Sequence, residues 1–424
     1  MFKFSKMTTE ERSWVLYDIA NSAYVLTFIT VLFPILSKAV ADMEGYESRF
    51  VSSTFMYLTA GIALVVALIS PVIGSIANYE GNKKKFFKIF FFIAIIGGIG
   101  LSIPGLSWIV LLVLFAISSI GYNSTNVIYD AFLIDVTTED NMDELSAQGF
   151  AWGYLGSMIP FFIGIIPFAL VTFGVLGDDY FRISVSFAFV VAMVWWIIYS
   201  IPMLKNVNQK YSLAHEDKQL KKAFQSLATI FRDWKRYKHV FIYLAAYLLY
   251  IDVVNSVIRL ATTIGTDLNV GNVMLLAVVV VVQLVAFPCA IIFGRLTGRF
   301  GAKRMLLFGI LMYAITILTV WRIDENTKWL MLVVAVLVGT SQGGIQAVSR
   351  SFFAKMVPTE KANEFFGFFS VFGRFAGIFS PFLLASLYRI EGMTVNNAVL
   401  VLMVPLTLGA ILLTRVPEGK KAWY

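Results

Sequence analysis

Polar side chains that could carry a proton or a charged solute stand inside an apolar segment near the amino end of the chain. Asp18 and Asn21 share one face of the helix that this segment predicts, and Tyr24 lies on an adjoining face. Asp18 lies roughly nine residues into that helix, a depth of ~14 Å at ~1.5 Å per residue. A carboxylate so far from a helix end is a candidate proton site, cation site or gate, and structural pairing between helices is the alternative.

Other apolar segments carry ionisable and amide side chains at the same helical spacings. We predict that these residues line a path for a solute: Asp252, Asn255, Arg259, Asn123, Asn126, Gln342, Gln346 and Arg374. Amides at such depths also bond neighbouring helices, and Arg259 is able to extend its charge to the membrane surface. The sequence leaves these alternatives open.

Arg374 is the strongest single candidate for binding a substrate carboxylate or phosphate. It stands near the middle of its apolar segment. An unpaired guanidinium at that depth costs several kcal/mol, so it requires either a carboxylate partner or an anionic ligand. The rival interpretation is a fixed ion pair with Asp252 or Asp18.

The composition excludes an ordinary soluble protein, because 58% of the 424 residues are apolar and only 14% are charged. One cysteine and two histidines exclude a disulfide framework, a cysteine-based metal site and a histidine-rich metal centre. The chain has no Walker loop, nucleophile elbow or catalytic histidine pair, so we expect neither an enzyme nor an ATP-driven pump. We expect no cofactor.

Apolar runs of about twenty residues predict an all-α membrane protein with twelve transmembrane helices. The spans are 12–38, 52–77, 86–105, 107–136, 147–174, 180–204, 239–265, 272–297, 303–321, 329–356, 363–388 and 394–414. They divide into a six-helix bundle in residues 1–204, a linker in 205–238 and a second six-helix bundle in 239–424.

Most of the 34 lysine and arginine residues fall between alternate spans, on the side that holds both termini. The positive-inside rule therefore predicts a multi-pass protein of the cell membrane with both termini in the cytoplasm. The net charge of +8 reflects this topology and not nucleic-acid binding. In the linker, apolar residues from Leu220 to Trp234 alternate with basic ones, which predicts an amphipathic helix on the inner leaflet or a simple tether between the bundles.

Two patterns of the first bundle recur in the second. Asp18-x-x-Asn21-Ser22 reappears as Asp252-x-x-Asn255-Ser256, and the glycine-basic loop after the second span reappears after the eighth. Glycine permits a tight turn, and the cations that follow it are able to pair with carboxylates at the inner ends of neighbouring helices. Such pairs would hold the cytoplasmic side shut, although these cations also serve topology alone. The predicted cytoplasmic gate comprises Gly74, Gly81, Lys83, Lys84, Asp130, Asp135, Gly294, Arg299, Gly301, Lys303 and Arg350.

The glycine-basic loops resemble the Gly-x-x-x-Asp-Arg-x-Gly-Arg-Arg motif of the major facilitator superfamily, with Asn78 and Gly298 in place of the usual acid. Within that superfamily the chain resembles the vacuole effluxer-like (autophagy-related protein 22-like) branch. The stretches that carry this resemblance are ERSWVLYDIANSAY (11–24), YDAFL (129–133), GGIQAVSRSFF (343–353) and EFFG (364–367). The resemblance implies a major facilitator fold and, by analogy with fungal relatives, export of amino acids.

These observations predict a secondary active transporter that works by alternating access. We expect it to export a small zwitterionic or anionic solute, coupled to protons or sodium through Asp18 and Asp252, and to act as a monomer in the lipid bilayer. A flippase for amphiphiles or lysolipids, which the aromatic content favours, is a second reading. A membrane scaffold or receptor without transport is a third.

Overall fold

A computed structural model describes residues 7–214, 219–232, 234–267, 272–324, 326–376, 380, 383–384, 387 and 395–418. These residues form helices joined by short loops, and one isolated backbone bridge joins Tyr79 to Leu213. The predicted all-helical class is confirmed.

The first span begins with a capping box, as the sequence Thr8-x-x-Glu11 predicts. The Thr8 hydroxyl accepts from the Glu11 backbone at 3.1 Å, and the Glu11 carboxylate accepts from the Thr8 backbone at 2.9 Å. The helix α1 that starts there continues without a break through a π-helical stretch, Val25–Leu32, into α2. The helices of the first bundle are α1 (Thr9–Tyr24), α2 (Phe33–Met43), α3 (Ser48–Ala77), α4 (Asn82–Leu101), α5 (Trp108–Ala131), α6 (Leu133–Val136), α7 (Met142–Thr172) and α8 (Phe181–Asn206).

The linker contains one helix, and the second bundle follows it. The helices are α9 (Gln219–Arg232) in the linker, then α10 (Lys238–Asp267), α11 (Asn272–Phe300), α12 (Ala302–Trp321), α13 (Leu330–Met356), α14 (Ala362–Phe375), a short helix Val395–Val399 and a last helix Met403–Thr414.

Ten helical segments of the described residues are long and apolar enough to cross a membrane. The two other predicted spans are 86–105, which falls in the lysine-rich α4, and 363–388, of which the structure describes a continuous helix only to Phe375. Part of the predicted span 363–388 therefore lies outside the described residues.

Each bundle packs mainly on itself, and the most extensive contacts between the two bundles come from three helix pairs. In the first bundle α1 packs on α7 and α8, and in the second α13 packs on α11 and α12. Across the interface α3 packs on α14, while α7 packs on both α11 and α13. The polar side chains predicted from the sequence lie on α1, α5, α10, α13 and α14, so this interface decides what they meet.

The linker lies against one end of the molecule, which we call the linker end. The backbone N–H groups of Lys210 and Tyr211 donate to the Asp135 carboxylate at 2.8 and 3.1 Å. Helix α9 lies within the predicted linker, and it contacts both bundles: Asn82 donates to Gln219 at 2.8 Å, and the Ser226 hydroxyl donates to the Glu364 carboxylate at 3.0 Å. Its contact with the inner leaflet stays a prediction.

Candidate functional site

The guanidinium of Arg350, on α13 of the second bundle, is inserted into the first bundle. It donates to the carboxylates of Asp18 and Asp130 at 3.2 and 3.1 Å. It also donates to the hydroxyl and the backbone carbonyl of Ser146 at 3.0 and 3.1 Å. The side chain is 3% exposed, so a single buried cation of one bundle is bonded by α1, α5 and α7 of the other.

Aromatic rings of the first bundle surround the same guanidinium. Its central carbon lies 4.5 Å from the ring centroid of Trp14, 4.4 Å from that of Phe150 and 5.6 Å from that of Tyr129. Rings at these distances attract a cation through their negative faces. We call these three rings, together with the carboxylates of Asp18 and Asp130, the Arg350 cage.

Two further polar contacts join the bundles on the side of the cage nearer the linker end. Lys355 pairs with Asp143 at 2.5 Å, and the Ser351 hydroxyl donates to the same carboxylate at 2.6 Å. Between α14 and the loop after α3, the backbone N–H and the side-chain amide of Asn363 donate to the Asn78 oxygen at 3.1 and 3.0 Å. The bundles are therefore joined by bonds in successive layers from the cage to the linker end.

Glycines allow the helices of the two bundles to approach closely in these layers. A Cβ on Gly74 would overlap the backbone carbonyl of Asn363, and one on Gly294 would overlap the Ala147 methyl group. A Cβ on Gly149 would overlap the Asp18 carboxylate within the cage. Gly74 and Gly294, both predicted as gate residues, thus act through close packing across the interface.

On the other side of the cage, a set of half-buried side chains lies between the bundles, which we call the central polar layer. Arg374 on α14 donates to the Ser370 hydroxyl at 3.2 Å and to the backbone carbonyl of Asn123 at 3.4 Å. The Tyr154 hydroxyl donates to Gln346 at 3.1 Å, again across the interface. Asn126, one helical turn from Asn123, accepts from Asn21 at 3.4 Å.

Among the described residues, no carboxylate lies within ion-pair distance of Arg374. The side chain is partly exposed, and so are those of Asn123, Asn126 and Gln346. The hydrogen bonds described for the guanidinium therefore go to neutral oxygens, those of Ser370 and Asn123. Neither rival partner, Asp252 or Asp18, pairs with it.

The structure places two other predicted path residues, Tyr24 and Asp252, inside the bundles and away from this layer. Tyr24 is fully buried inside the first bundle, stacked on Phe28 at 4.9 Å between ring centroids. Asp252 is buried in the second bundle and accepts from the Ser380 backbone at 2.8 Å and from the Ser380 hydroxyl. Asn255 and Gln342 are half-buried. The side chain of Arg259 lies outside the described residues.

The predicted pairing of a loop cation with a carboxylate of a neighbouring helix occurs at Lys83, but this pair does not join the two bundles. Lys83 pairs with Asp135 at 2.5 Å, but both belong to the first bundle. Lys84 donates to Asn208 at 2.9 Å, and Lys303 donates to the Thr414 carbonyl at 2.6 Å within the second bundle. Arg299 is exposed beside Phe300. Lys83 and Lys303 thus bond within their own bundles, whereas Gly74 and Asn78 of the first loop contact Asn363 across the interface.

The loop glycines have the predicted role in turns. Gly81 and Gly301 adopt φ values of +75° and +89°, a left-handed region that disfavours residues with a Cβ. Each precedes the first residue of a helix, α4 and α12 respectively. They shape the bundle ends without touching the cage.

Sequence reasoning missed several residues of the interface: Trp14, Asp143, Ser146, Gly149, Phe150 and Asn363. Trp14 stands four residues before Asp18 on α1, so helical spacing does place its ring beside that carboxylate. Ser146, Gly149 and Phe150 had no such signal, because they are themselves small or apolar and carry no charge. Their role depends on the rotation of α7 against α13.

Comparison with protein families gives one strong match. A family model described as vacuole effluxer Atg22-like matches residues 7–141 and 135–422 of the chain. The MFS-type transporter YxiO of Bacillus subtilis (strain 168) is 40% identical over 418 residues, which cover 97% of this chain and 96% of that protein. Autophagy-related protein 22 of Eremothecium gossypii is 21% identical over 436 residues, covering 88% and 83% of the two chains.

Solved structures of transporters share the fold. The proton:xylose symporter XylE, bound to a bromodeoxyglucose, superposes with a TM-score of 0.70 at 13% identity, covering 97% of this chain and 94% of that one. FucP in its outward conformation superposes with a TM-score of 0.67 at 12% identity, covering 95% and 98%. The predicted major facilitator fold is confirmed.

Proposed function

Because this chain belongs to the vacuole effluxer Atg22-like family of the major facilitator superfamily, we propose that it is a secondary active exporter of a small zwitterionic or anionic solute, with an amino acid as the simplest case. The direction of transport follows the family description, and the class of solute follows the charges of the interface. The mechanism is alternating access, in which the bundles separate first at one end and then at the other.

The partly exposed guanidinium of Arg374 carries the proposal for the substrate. A cation between two bundles of a membrane protein, with no carboxylate partner among the described residues, is stabilised when an anionic group binds it. A guanidinium binds a carboxylate through two parallel hydrogen bonds, which also fixes its orientation. The amides of Asn123, Asn126 and Gln346 supply neutral donors and acceptors around the rest of the solute.

Proton coupling is supported by the charge balance of the Arg350 cage. Two carboxylates, Asp18 and Asp130, share one guanidinium, so the cage carries one excess negative charge in a mostly buried place. A single proton on either carboxylate neutralises that charge. Because Asp130 is more exposed than Asp18, with 27% against 9% of the side chain accessible, we assign it the exchange of the proton. Asp252 then has a structural role inside the second bundle.

We propose that the linker end faces the cytoplasm, in agreement with the positive-inside pattern. The conformer described is then closed toward the cytoplasm by the cage and by the layers of Lys355 and Asn363. Export requires that these bonds break so that the solute enters the central polar layer from inside.

The test of the substrate proposal is flux of radiolabelled amino acids from proteoliposomes that contain the full chain. Arg374→Ala should raise KM about tenfold or more, which corresponds to the loss of one charge-assisted contact, and Arg374→Lys should be intermediate. Arg322→Ala, which removes an exposed guanidinium at the end of α12, is the matched control and should behave like the native protein. Flux of amino acids that is unchanged by Arg374→Ala would exclude Arg374 as the binding residue.

The test of coupling uses the same vesicles with an imposed pH gradient. The native protein should transport faster with the gradient than without it, and Asp130→Asn should transport equally in both conditions. Asp252→Asn should keep its response to the gradient. A response that survives in Asp130→Asn but disappears in Asp252→Asn would reverse our assignment.

A further inference from the structure

The Arg350 cage is built by the first bundle alone. The indole N–H of Trp14 donates to the Tyr129 carbonyl at 3.1 Å, and the Tyr129 hydroxyl donates back to the Trp14 carbonyl at 3.1 Å. The two rings stack with centroids 4.7 Å apart and planes 15° from parallel. None of these contacts involves Arg350, so the Trp14–Tyr129 wall of the cage is held in place without the occupant.

Separation of the bundles at the linker end withdraws Arg350, because α13 moves with the second bundle. The cage would then hold two carboxylates, Asp18 and Asp130, without their cation and would open toward the side from which Arg350 left. Two adjacent negative charges in a weakly hydrated place repel each other, and binding of a cation or protons relieves this repulsion.

The geometry of the cage selects an organic cation. Trp14 and Phe150 lie 4.5 and 4.4 Å from the guanidinium carbon, at the distance of cation–π contact. A flat, weakly hydrated cation gains from such rings and from paired carboxylate bonds, whereas a small metal ion prefers a shell of oxygen ligands. Ser146 adds a hydroxyl and a carbonyl that accept further N–H groups.

We propose that the emptied cage is a binding site for a guanidinium or primary ammonium group presented by the transported solute, and that Arg350 competes with that group as the bundles close. The inference rests on the proposed function, because it requires the bundles to separate at the linker end. It adds a substrate class: solutes that carry a cationic side chain, with a carboxylate that Arg374 binds, are preferred over solutes with a neutral side chain. Closure then displaces the cation from the cage toward the central polar layer.

The experiment measures binding to purified full-length Arg350→Ala protein, in which the cage is empty in every conformer. The probes are methylguanidinium and its neutral analogue methylurea, and L-arginine and L-norleucine. We expect the cationic member of each pair to bind about tenfold or more tightly than the neutral one. This preference should disappear in the double variant Arg350→Ala/Asp18→Asn and weaken in the double variant Arg350→Ala/Trp14→Leu. The control variant Arg322→Ala should bind cations as weakly as the native protein does.

Equal affinity for methylguanidinium and methylurea would overturn the inference, as would a cation preference that survives the loss of Asp18. Should Arg350→Ala fail to fold, Gly74→Ala is measured with the same probes, because its methyl group keeps the bundles apart at the linker end while the cage residues stay native. The assay records binding, not flux. A protein that binds arginine but transports no amino acid in vesicles would contradict the proposed function and support the cage site. A protein that transports amino acids but shows no preference for cations would support the proposed function and contradict the cage site.

Discussion

The guanidinium of Arg350 and the carboxylate of Asp18 lie 3.2 Å apart, although 332 residues separate them in the chain. One belongs to the second bundle and the other to the first, so this ion pair exists only while the bundles are closed at the linker end. Residues of the two bundles thus meet in one buried cluster. The bonds of this cluster stabilise the closed conformer relative to one that is open at the linker end.

Arg350→Ala should shift this equilibrium toward the conformer that is open at the linker end. Removal of the guanidinium eliminates four hydrogen bonds between the bundles and leaves two carboxylates unpaired, at a cost to the closed conformer of about 3–5 kcal/mol. Hydrogen–deuterium exchange followed by mass spectrometry should show about tenfold or faster exchange in peptides from the linker-end halves of α7 and α13.

Arg322→Ala serves as the control for that measurement and should leave the same peptides protected. Unchanged protection of α7 and α13 in Arg350→Ala would mean that the cage does not hold the bundles together.

Gly74→Ala should block closure of the linker end, because the added methyl group overlaps the backbone of Asn363, which has no side-chain torsion to relieve the contact. We expect amino acid flux to fall by about tenfold or more and exchange to rise at the start of α14. Gly61→Ala, in the same helix, meets no atom within 4 Å and should keep native flux, with a small gain in helix stability. Equal losses for the two variants would point to helix α3 itself and not to the interface.

Lys83→Ala should destabilise the first bundle without changing the interface. It leaves the Asp135 carboxylate, 1% exposed, without its cation, which costs about 3–5 kcal/mol. The melting temperature of the purified protein should drop by several degrees. Lys84→Ala removes a half-buried neighbour on the same helix and should change the free energy of unfolding by less than about 0.5 kcal/mol. Similar melting temperatures for both variants would contradict the pairing of Lys83 with Asp135.

Asn78→Asp, which restores the acid usual in the superfamily, should strengthen closure. The Asn78 oxygen already accepts two bonds from Asn363, while its buried amide nitrogen has no partner among the described residues. The aspartate carboxylate still accepts both hydrogen bonds from Asn363 and has no N–H group that lacks a partner. It lies at the amino end of α14, where a negative charge is favoured by about 0.5–1 kcal/mol. Exchange at the start of α14 should slow, whereas Asn78→Leu should speed it. Faster exchange in Asn78→Asp would refute this account.

The sequence predicts the elements and the polar faces well, because helical spacing decides which side chains share a stripe. As that spacing indicates, the structure brings the carboxylates of Asp18 and Asp130 together on Arg350. It also joins Asn21 to Asn126. Spacing does not decide how one helix is rotated against another. The repeat suggests equal roles for Asp18 and Asp252, yet one carboxylate pairs with Arg350 across the bundles and the other with Ser380 inside its own bundle.

The contact of α3 with α14 is made largely by main-chain atoms, since Gly74 meets the Asn363 backbone and Gly367 meets the backbone of Ser70 and Pro71. Main-chain atoms held in helices have no rotamers to lose when they touch or to regain when they part. Side-chain entropy is therefore nearly the same on both sides of the rocking motion along this line. The energy difference between the two states of the proposed transport cycle therefore depends on a few polar bonds, which protonation or a solute of modest affinity is able to shift.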